Sequence, residues 1–155
     1  GEIALARNCA QRGIDIDQLD PFVNFTMGRS YWLEGDLERA LTWLERATSL
    51  SPNYAQGIYA RAWTETMAGD ANDAREHVTL AMRLSPLDPL YYAMLGARGL
   101  THIMLAGNEY LAMAWANDVR ARNALLSRED FFAAFPMKSD VMRSRISAAL
   151  QELGF

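Results

Sequence analysis

The sequence predicts an all-α fold, a superhelix of antiparallel helix pairs with a 34-residue repeat and capping helices at its C-terminal end. Two observations predict this fold. The segment TSLSP at residues 48–52 returns as MRLSP at residues 82–86, and the turn Gly35-Asp36 returns as Gly69-Asp70 at the same interval of 34. Repeats of roughly 20 to 50 residues are typical of arrays in which each unit packs on its neighbours.

The period holds across whole units. At a spacing of 34 the matching pairs are Gly35 and Gly69, Asp36 and Asp70, Ala40 and Ala74, Ala47 and Ala81, Leu50 and Leu84, and Pro52 and Pro86. At twice that spacing, 68, the tripeptide Asp20-Pro21-Phe22 meets Asp88-Pro89-Leu90. Chance does not explain so many matches at one spacing, so we predict full repeats at residues 20–53 and 54–87.

Each full repeat is predicted to contain two helices. Asp20 and Pro21 indicate a helix start, because aspartate caps a helix N-terminus and proline fits its first turn. Gly35 ends this helix and Asp36 caps the second one, which Pro52 terminates. The second repeat follows the same scheme with a break at its own glycine and aspartate.

Small residues recur where the two helices of a pair would meet. The first helix of each repeat carries Gly28 or Ala62, and the second helix carries Ala40 or Ala74. Because these side chains lack bulk, the two helices can approach closely while larger neighbours fill the space around them.

Partial units flank the two full repeats. Residues 1–19 resemble the second helix of a preceding repeat, so we expect the array, residues 1–126, to begin before Gly1. Residues 88–126 form a divergent third repeat, whose turn glycine is displaced by four positions, from near residue 103 to Gly107. Either the first helix is longer here or a segment is absent between about residues 100 and 106.

The C-terminal segment, residues 127–155, does not follow the repeat. Ser127 with Asp130 three positions later is a capping arrangement for a short helix, which Pro136 ends, and Ser139 caps the next helix. A repeat array needs its last open face covered, so we predict that these are capping helices.

The small and aromatic positions resemble those of the tetratricopeptide (TPR) repeat. With Pro21 as position one, the family's small, aromatic, alanine and proline positions are occupied by Gly28, Tyr31, Ala40, Ala47 and Pro52. The second repeat departs from the family pattern once, with Glu65 in place of the aromatic. The resemblance covers most of the chain and implies a curved array with a concave groove.

The resemblance also implies which residues line that groove. Positions two, five, nine and twelve of each first helix are Phe22, Phe25, Arg29, Trp32, Gln56, Tyr59, Trp63 and Thr66. This set is aromatic, with a single arginine, and lacks the lysines and asparagines with which some TPR proteins clamp acidic tails. We expect apolar anchoring of a protein or peptide ligand, with Trp32 and Trp63 as the anchors. The alternative is that some of these aromatic residues pack on the preceding repeat.

No residue cluster indicates catalysis, a metal site or a cofactor. His77 and His102 lie far apart with no carboxylate or cysteine at ligand spacing, and no glycine-rich phosphate loop occurs. Cys9 shares a helix side with Ala6 and Ala10 and is predicted to be a buried, inert thiol. We therefore expect a non-catalytic chain with no cofactor and no metal.

Charge and hydropathy argue against two classes of partner. The net charge is −4 and the pI about 5.1, without the basic excess of a nucleic-acid-binding protein. Every apolar run is far shorter than the roughly 18 to 20 residues that cross a membrane. A single cysteine cannot form an intramolecular disulfide, which favours a reducing, cytoplasmic location.

Four stretches of the chain carry a narrower resemblance. They are DPFVNFTMGR at residues 20–29, GDLERAL at 35–41, RLSPLDPLYYAMLG at 83–96, and LSREDFFAAFPMKS at 126–139 with the closing LGF. This arrangement resembles the C-terminal TPR region of bacterial class III adenylate or guanylate cyclases. The resemblance implies a regulatory module for an attached catalytic domain, in signal transduction through cAMP, with no turnover in this chain because the cyclase domain is absent from it.

Two other functions would use the same curved surface as a cyclase-attached module. TPR arrays also occur as stand-alone adaptors and as the sensor half of transcription regulators. In each case the chain presents a rigid curved surface to another protein or to a second copy of itself. Apolar residues on the groove favour self-association into a homo-oligomer, because large apolar patches are rarely left bare on soluble monomers.

Overall fold

The computed structural model describes residues 1–104, 109–134 and 140–155, and these ranges contain nine helices and no strand. The helices are α1 (Glu2–Ile16), α2 (Pro21–Glu34), α3 (Leu37–Leu50), α4 (Ala55–Ala68), α5 (Ala71–Leu84), α6 (Tyr91–Met104), α7 (Glu109–Arg122), α8 (Arg128–Ala134) and α9 (Asp140–Glu152). Helices α2 and α3, α4 and α5, and α6 and α7 pack as pairs, and successive pairs stack through α3 on α4 and α5 on α6.

The 34-residue period is present in the helix bounds. Helices α2, α3, α4 and α5 each have 14 residues. Helix α4 starts 34 residues after α2, and α5 starts 34 residues after α3. The predicted pairing of two helices per repeat is therefore confirmed for the two full repeats.

The predicted turn residues of the first repeat act as expected, whereas in the second repeat Asp70 begins α5 without a side-chain capping hydrogen bond. The Asp20 carboxylate accepts hydrogen bonds from the backbone N–H groups of Phe22 and Val23, at 2.7 and 3.0 Å, so it caps α2. Gly35 ends α2 with φ of 82°, in the left-handed region that favours glycine. The Asp36 carboxylate then accepts from the N–H of Arg39 at 3.1 Å and caps α3.

The small residues hold the helix pairs close together, as predicted. A Cβ atom on Gly28 would lie 2.7 Å from Leu44 Cγ and 3.1 Å from the Ala40 carbonyl oxygen, both on α3. Ala40 and Leu44 are themselves fully buried. Glycine is therefore required at residue 28 by the distance between α2 and α3.

Helix α1 packs on α2 through a salt-bridged arginine. The Arg7 guanidinium lies 2.7 Å from the Glu34 carboxylate, donates to the Ser30 carbonyl at 3.1 Å and stacks 4.0 Å from the centre of the Tyr31 ring. The prediction that Cys9 is a buried thiol is wrong. Cys9 is exposed, whereas the α1 residues that pack inward are Ala10, which is buried, and Gly13, which lies against Val23 of α2.

The third pair departs from the period through its connections. Helix α6 has the same 14 residues as α2 and α4 but begins two residues late, at Tyr91, and α7 begins four residues late. The two alternatives for this repeat, a longer first helix or an absent segment, both depend on residues outside the described ranges and stay open. The late start of α6 has a cause in the structure. The Asp88 carboxylate accepts hydrogen bonds from the Leu90 N–H, the Ser85 hydroxyl and the Gln56 amide, and these bonds hold a turn before α6.

The C-terminal segment begins with the predicted cap. The Ser127 hydroxyl and N–H donate to the Asp130 carboxylate at 2.6 and 3.0 Å, and the Asp130 N–H donates back to the Ser127 hydroxyl. Helix α8 follows and packs on α9, which packs on α6. The predicted roles of Pro136 and Ser139 lie outside the described residues, and the division of the chain at residue 127 stays a prediction.

Candidate functional site

The first helices of the three pairs, α2, α4 and α6, share one side of the array with the C-terminal segment. Between them lies a cavity of about 500 Å³, which we call the groove cavity. Its wall includes Phe25 and Arg29 from α2, and Tyr59 and Trp63 from α4. Five of the eight groove residues predicted from the sequence therefore line one space, the fifth being Gln56.

Four of the eight predicted residues are buried. Trp32, Tyr59, Trp63 and Thr66 are 4%, 7%, 1% and 1% exposed. Both tryptophans belong to the main hydrophobic core, and the Thr66 hydroxyl donates to the Ala62 carbonyl of its own helix. This burial favours the alternative in which the two tryptophans pack within the array and support the groove from beneath.

The exposed part of the predicted set is aromatic. Phe22 is 62% exposed, and its ring centre lies 6.0 Å from that of Phe25. Phe25 in turn meets Tyr54 edge-on at 5.4 Å. We call these three residues the aromatic rim; it stands beside the groove cavity because Phe25 belongs to both.

Arg29 brings one positive charge into the apolar wall. Its guanidinium lies 4.5 Å from the centre of the Trp32 ring, and among the described residues no carboxylate lies within salt-bridge distance of it. Burial lowers the pKa of Arg29, while the nearby Tyr59 hydroxyl acts in the opposite direction. Arginine remains charged despite such shifts, so the wall carries a poorly hydrated cation that pairs with no carboxylate of the described residues.

Tyr59 provides a second polar group in the same wall. Burial raises the pKa of its hydroxyl, and the charge of Arg29 partly opposes this. The hydroxyl has no hydrogen-bond partner among the described residues. A buried donor without a partner is uncommon and costs about 1 to 3 kcal/mol.

The C-terminal segment forms the opposite wall. Phe131 of α8 meets Trp63 edge-on, with ring centres 5.5 Å apart, and Leu150 of α9 also lines the cavity. The end of the chain packs on α7, where Leu153 contacts Ala116. The segment therefore covers the third pair, as predicted, and in addition reaches across to α4.

Sequence reasoning missed the cavity residues contributed by the third pair and the C-terminal segment. With Pro89 as position one, positions two, five and twelve are Leu90, Ala93 and Leu100, and all three line the cavity. Extending the groove positions by one more repeat would have identified them. Phe131 and Leu150 lie outside the repeats, so no periodic pattern could have indicated their place.

The aromatic position that Glu65 replaces holds a polar cluster. Glu65 is 4% exposed; its carboxylate lies 2.8 Å from Arg61 Nε and 2.7 Å from His77 Nδ1. His77 thus lies within hydrogen-bond distance of a carboxylate, although the sequence shows none at ligand spacing from it. Within the described ranges no three His, Cys, Asp or Glu residues are grouped so that they could hold a metal ion.

No helix in the part of the chain that the structure describes has the length and apolar character needed to span a membrane.

Comparison with known proteins identifies the fold and leaves the family open. No protein-family model matches the chain, and no curated protein matches it. Two crystal structures of MamA do match. One has a TM-score of 0.67 at 16% identity over 90% of this chain and 70% of the MamA chain. The other has a TM-score of 0.71 at 14% identity over 99% of this chain and 87% of the MamA chain.

At these identities the likeness concerns the fold alone. The likeness covers 90% and 99% of this chain in the two comparisons. The fold predicted from the sequence, an all-α superhelix of antiparallel helix pairs of the TPR type, is therefore confirmed.

Proposed function

We propose that this chain is a non-catalytic interaction module that binds a protein or peptide ligand along its concave groove, with the aromatic rim as the first contact. The observation that carries the proposal is Phe22, which is 62% exposed although its ring lies against a second aromatic residue. Exposed aromatic residues next to a partly buried arginine are the residue types that dominate binding hot spots. Leu90, 42% exposed at the cavity wall, extends the apolar surface.

Site-specific photo-crosslinking tests this proposal. A benzophenone amino acid replaces Phe22 in one variant and Ser49, an exposed residue of α3, in the matched control. Each variant is irradiated in the cells that express the chain. We expect a discrete adduct from residue 22 and none of the same mass from residue 49. Identical adduct patterns from the two positions, or none from residue 22, would contradict groove binding.

We also propose a setting for the module, on the four stretches that resemble bacterial class III cyclases. In that setting the groove contacts, or transmits a signal to, an adenylate cyclase domain in the same polypeptide. The test is the coding sequence upstream of Gly1, followed by cAMP output from the full-length protein with and without the repeats. A cyclase domain there, with output changed by the repeats, supports the setting. An upstream region without one leaves a stand-alone adaptor or, with a DNA-binding domain, a transcription regulator.

Self-association uses the same surface. If a second copy is the ligand, the residue 22 adduct has twice the mass of the chain and light scattering gives a dimer. If the adduct instead has a mass other than twice that of the chain, and the purified chain is monomeric, the ligand is a protein other than a second copy.

A further inference from the structure

The groove cavity has the size and composition of a ligand site. Its volume, about 500 Å³, lies within the roughly 300 to 1,000 Å³ of small-molecule pockets. Most of its described lining is aliphatic or aromatic, including Trp63, Leu95 and Leu150. Pockets of this kind bind an apolar ligand body and orient it with a few polar groups.

The charges of the lining determine which ligand fits. Arg29 is the one cation among the described lining residues, and no carboxylate of the described chain pairs with it. Tyr59 belongs to the same wall, and its hydroxyl has no hydrogen-bond partner among the described residues. A planar guanidinium with a neighbouring hydroxyl matches a carboxylate, which accepts several hydrogen bonds at once.

The acidic group of the lining gives the ligand a direction. Asp130 of α8 also lines the cavity, and its carboxylate is already bonded to Ser127. A ligand anion is repelled at that end of the cavity and attracted at the Arg29 end. The apolar body of the ligand then lies against α6 and the C-terminal helices.

We propose that the groove cavity binds a small amphipathic carboxylate, an acyl chain or comparable apolar body, whose carboxylate pairs with Arg29. This makes the array a sensor of an apolar acid, and it goes beyond the protein ligand proposed for the aromatic rim, with which the cavity shares Phe25. The C-terminal segment contributes one wall, so ligand binding also stabilises the contact between that segment and α4.

Isothermal titration calorimetry of the whole chain with dodecanoate tests the proposal. We expect a dissociation constant on the order of 10 to 100 µM for a ligand of this size. Arg29→Met weakens binding by about tenfold or more, because a charge-assisted hydrogen bond is lost. Arg83→Gln, which changes an exposed arginine on α5, leaves binding unchanged and is the matched control. Circular dichroism checks that each variant stays helical.

A second variant tests whether the ligand occupies the groove cavity, whereas the Arg29 variant tests the role of the charge. A Cβ on Gly96, in the cavity lining, has no atom within 4 Å, so Gly96→Leu fills the cavity without a clash at its Cβ. We expect this variant to fold and to lose dodecanoate binding. Dodecanol, with the same chain and no charge, binds the unchanged protein at least about tenfold more weakly. No binding of dodecanoate to the unchanged protein, equal binding to Gly96→Leu, or equal affinity for dodecanol would overturn the proposal.

The outcomes separate the two proposals. A loss of dodecanoate binding in Gly96→Leu with an intact residue 22 adduct supports both, since the sites are then independent. Absence of dodecanoate binding with an intact adduct rejects the acid site alone.

Discussion

The rings of Trp63 and Phe131 meet edge-on, with centres 5.5 Å apart and planes at 70°. Trp63 belongs to the first helix of the second repeat, and Phe131 belongs to the C-terminal segment beyond the last repeat. A cap that only closed the end of the array would have no reason to reach α4. The contact therefore makes the C-terminal segment part of the groove wall.

This contact is expected to contribute measurably to stability. A double-mutant cycle with Trp63→Leu and Phe131→Leu should give a coupling free energy of about 1 kcal/mol, as for other aromatic pairs. Urea unfolding of the four proteins measures it. Effects that add to within about 0.3 kcal/mol would show that the two rings do not stabilise each other.

Gly28 and Gly96 should respond oppositely to the same change. Gly28→Ala places a Cβ 2.7 Å from Leu44 Cγ, so we expect a loss of about 1 to 2 kcal/mol in the free energy of unfolding. Gly96→Ala places a Cβ in open space within α6 and should gain up to about 1 kcal/mol, because alanine favours helix. Chemical denaturation compares the two, and effects of the same sign would contradict the close approach of α2 and α3.

Glu65 is expected to stabilise the fold more than its exposed neighbour in the same network. Glu65→Ala removes the buried carboxylate that Arg61 and His77 share, and we expect a loss of about 2 kcal/mol. Glu45 is 54% exposed and lies 3.5 Å from Arg61, so Glu45→Ala should cost less than about 0.5 kcal/mol. Unfolding curves for the two variants decide this, and equal losses would speak against a buried cluster.

His102 should make the fold less stable as the pH falls. Burial and the nearby Arg98 and Arg75 lower its pKa in the folded chain, so the unfolded chain binds the proton more strongly. The free energy of unfolding should therefore decrease as the pH falls below about 6.5, with a slope of at most about 1.4 kcal/mol per pH unit, and level off below the folded pKa.

The matched variant is His102→Gln, which cannot take up this proton. Thermal unfolding between pH 7 and pH 5 should show a smaller decrease in stability for the variant than for the unchanged chain. Parallel pH profiles would indicate that the pKa of His102 is not lowered in the folded state.

The local parts of the fold could be predicted from the sequence because their causes are local. The cap at Asp20, the left-handed Gly35 and the close approach at Gly28 each depend on residues within the same repeat. The 34-residue period then allows the helix bounds of one repeat to be carried over to the next repeat. The late start of α6 could not be predicted, since it follows from a bond that joins Asp88 to Gln56 of another repeat.

The site was predictable only in part. Groove positions carried over from the TPR pattern identify Phe25, Arg29 and Tyr59, which do line one cavity. The repeat pattern could not predict which groove residues are exposed. Trp63, for example, packs against Phe131, which belongs to a segment outside the repeats. Contacts between distant, non-repeating segments leave no periodic trace in a sequence.

The central proposal is that the aromatic rim binds a protein or peptide ligand. Its most direct test is the affinity of the partner recovered by crosslinking for three purified chains: the unchanged protein, Phe22→Ala, and Leu125→Ala as an exposed apolar control. We predict that Phe22→Ala weakens binding by at least about tenfold, as removal of a hot-spot aromatic residue does, and that Leu125→Ala leaves it unchanged. Equal affinities for all three chains would contradict the proposal.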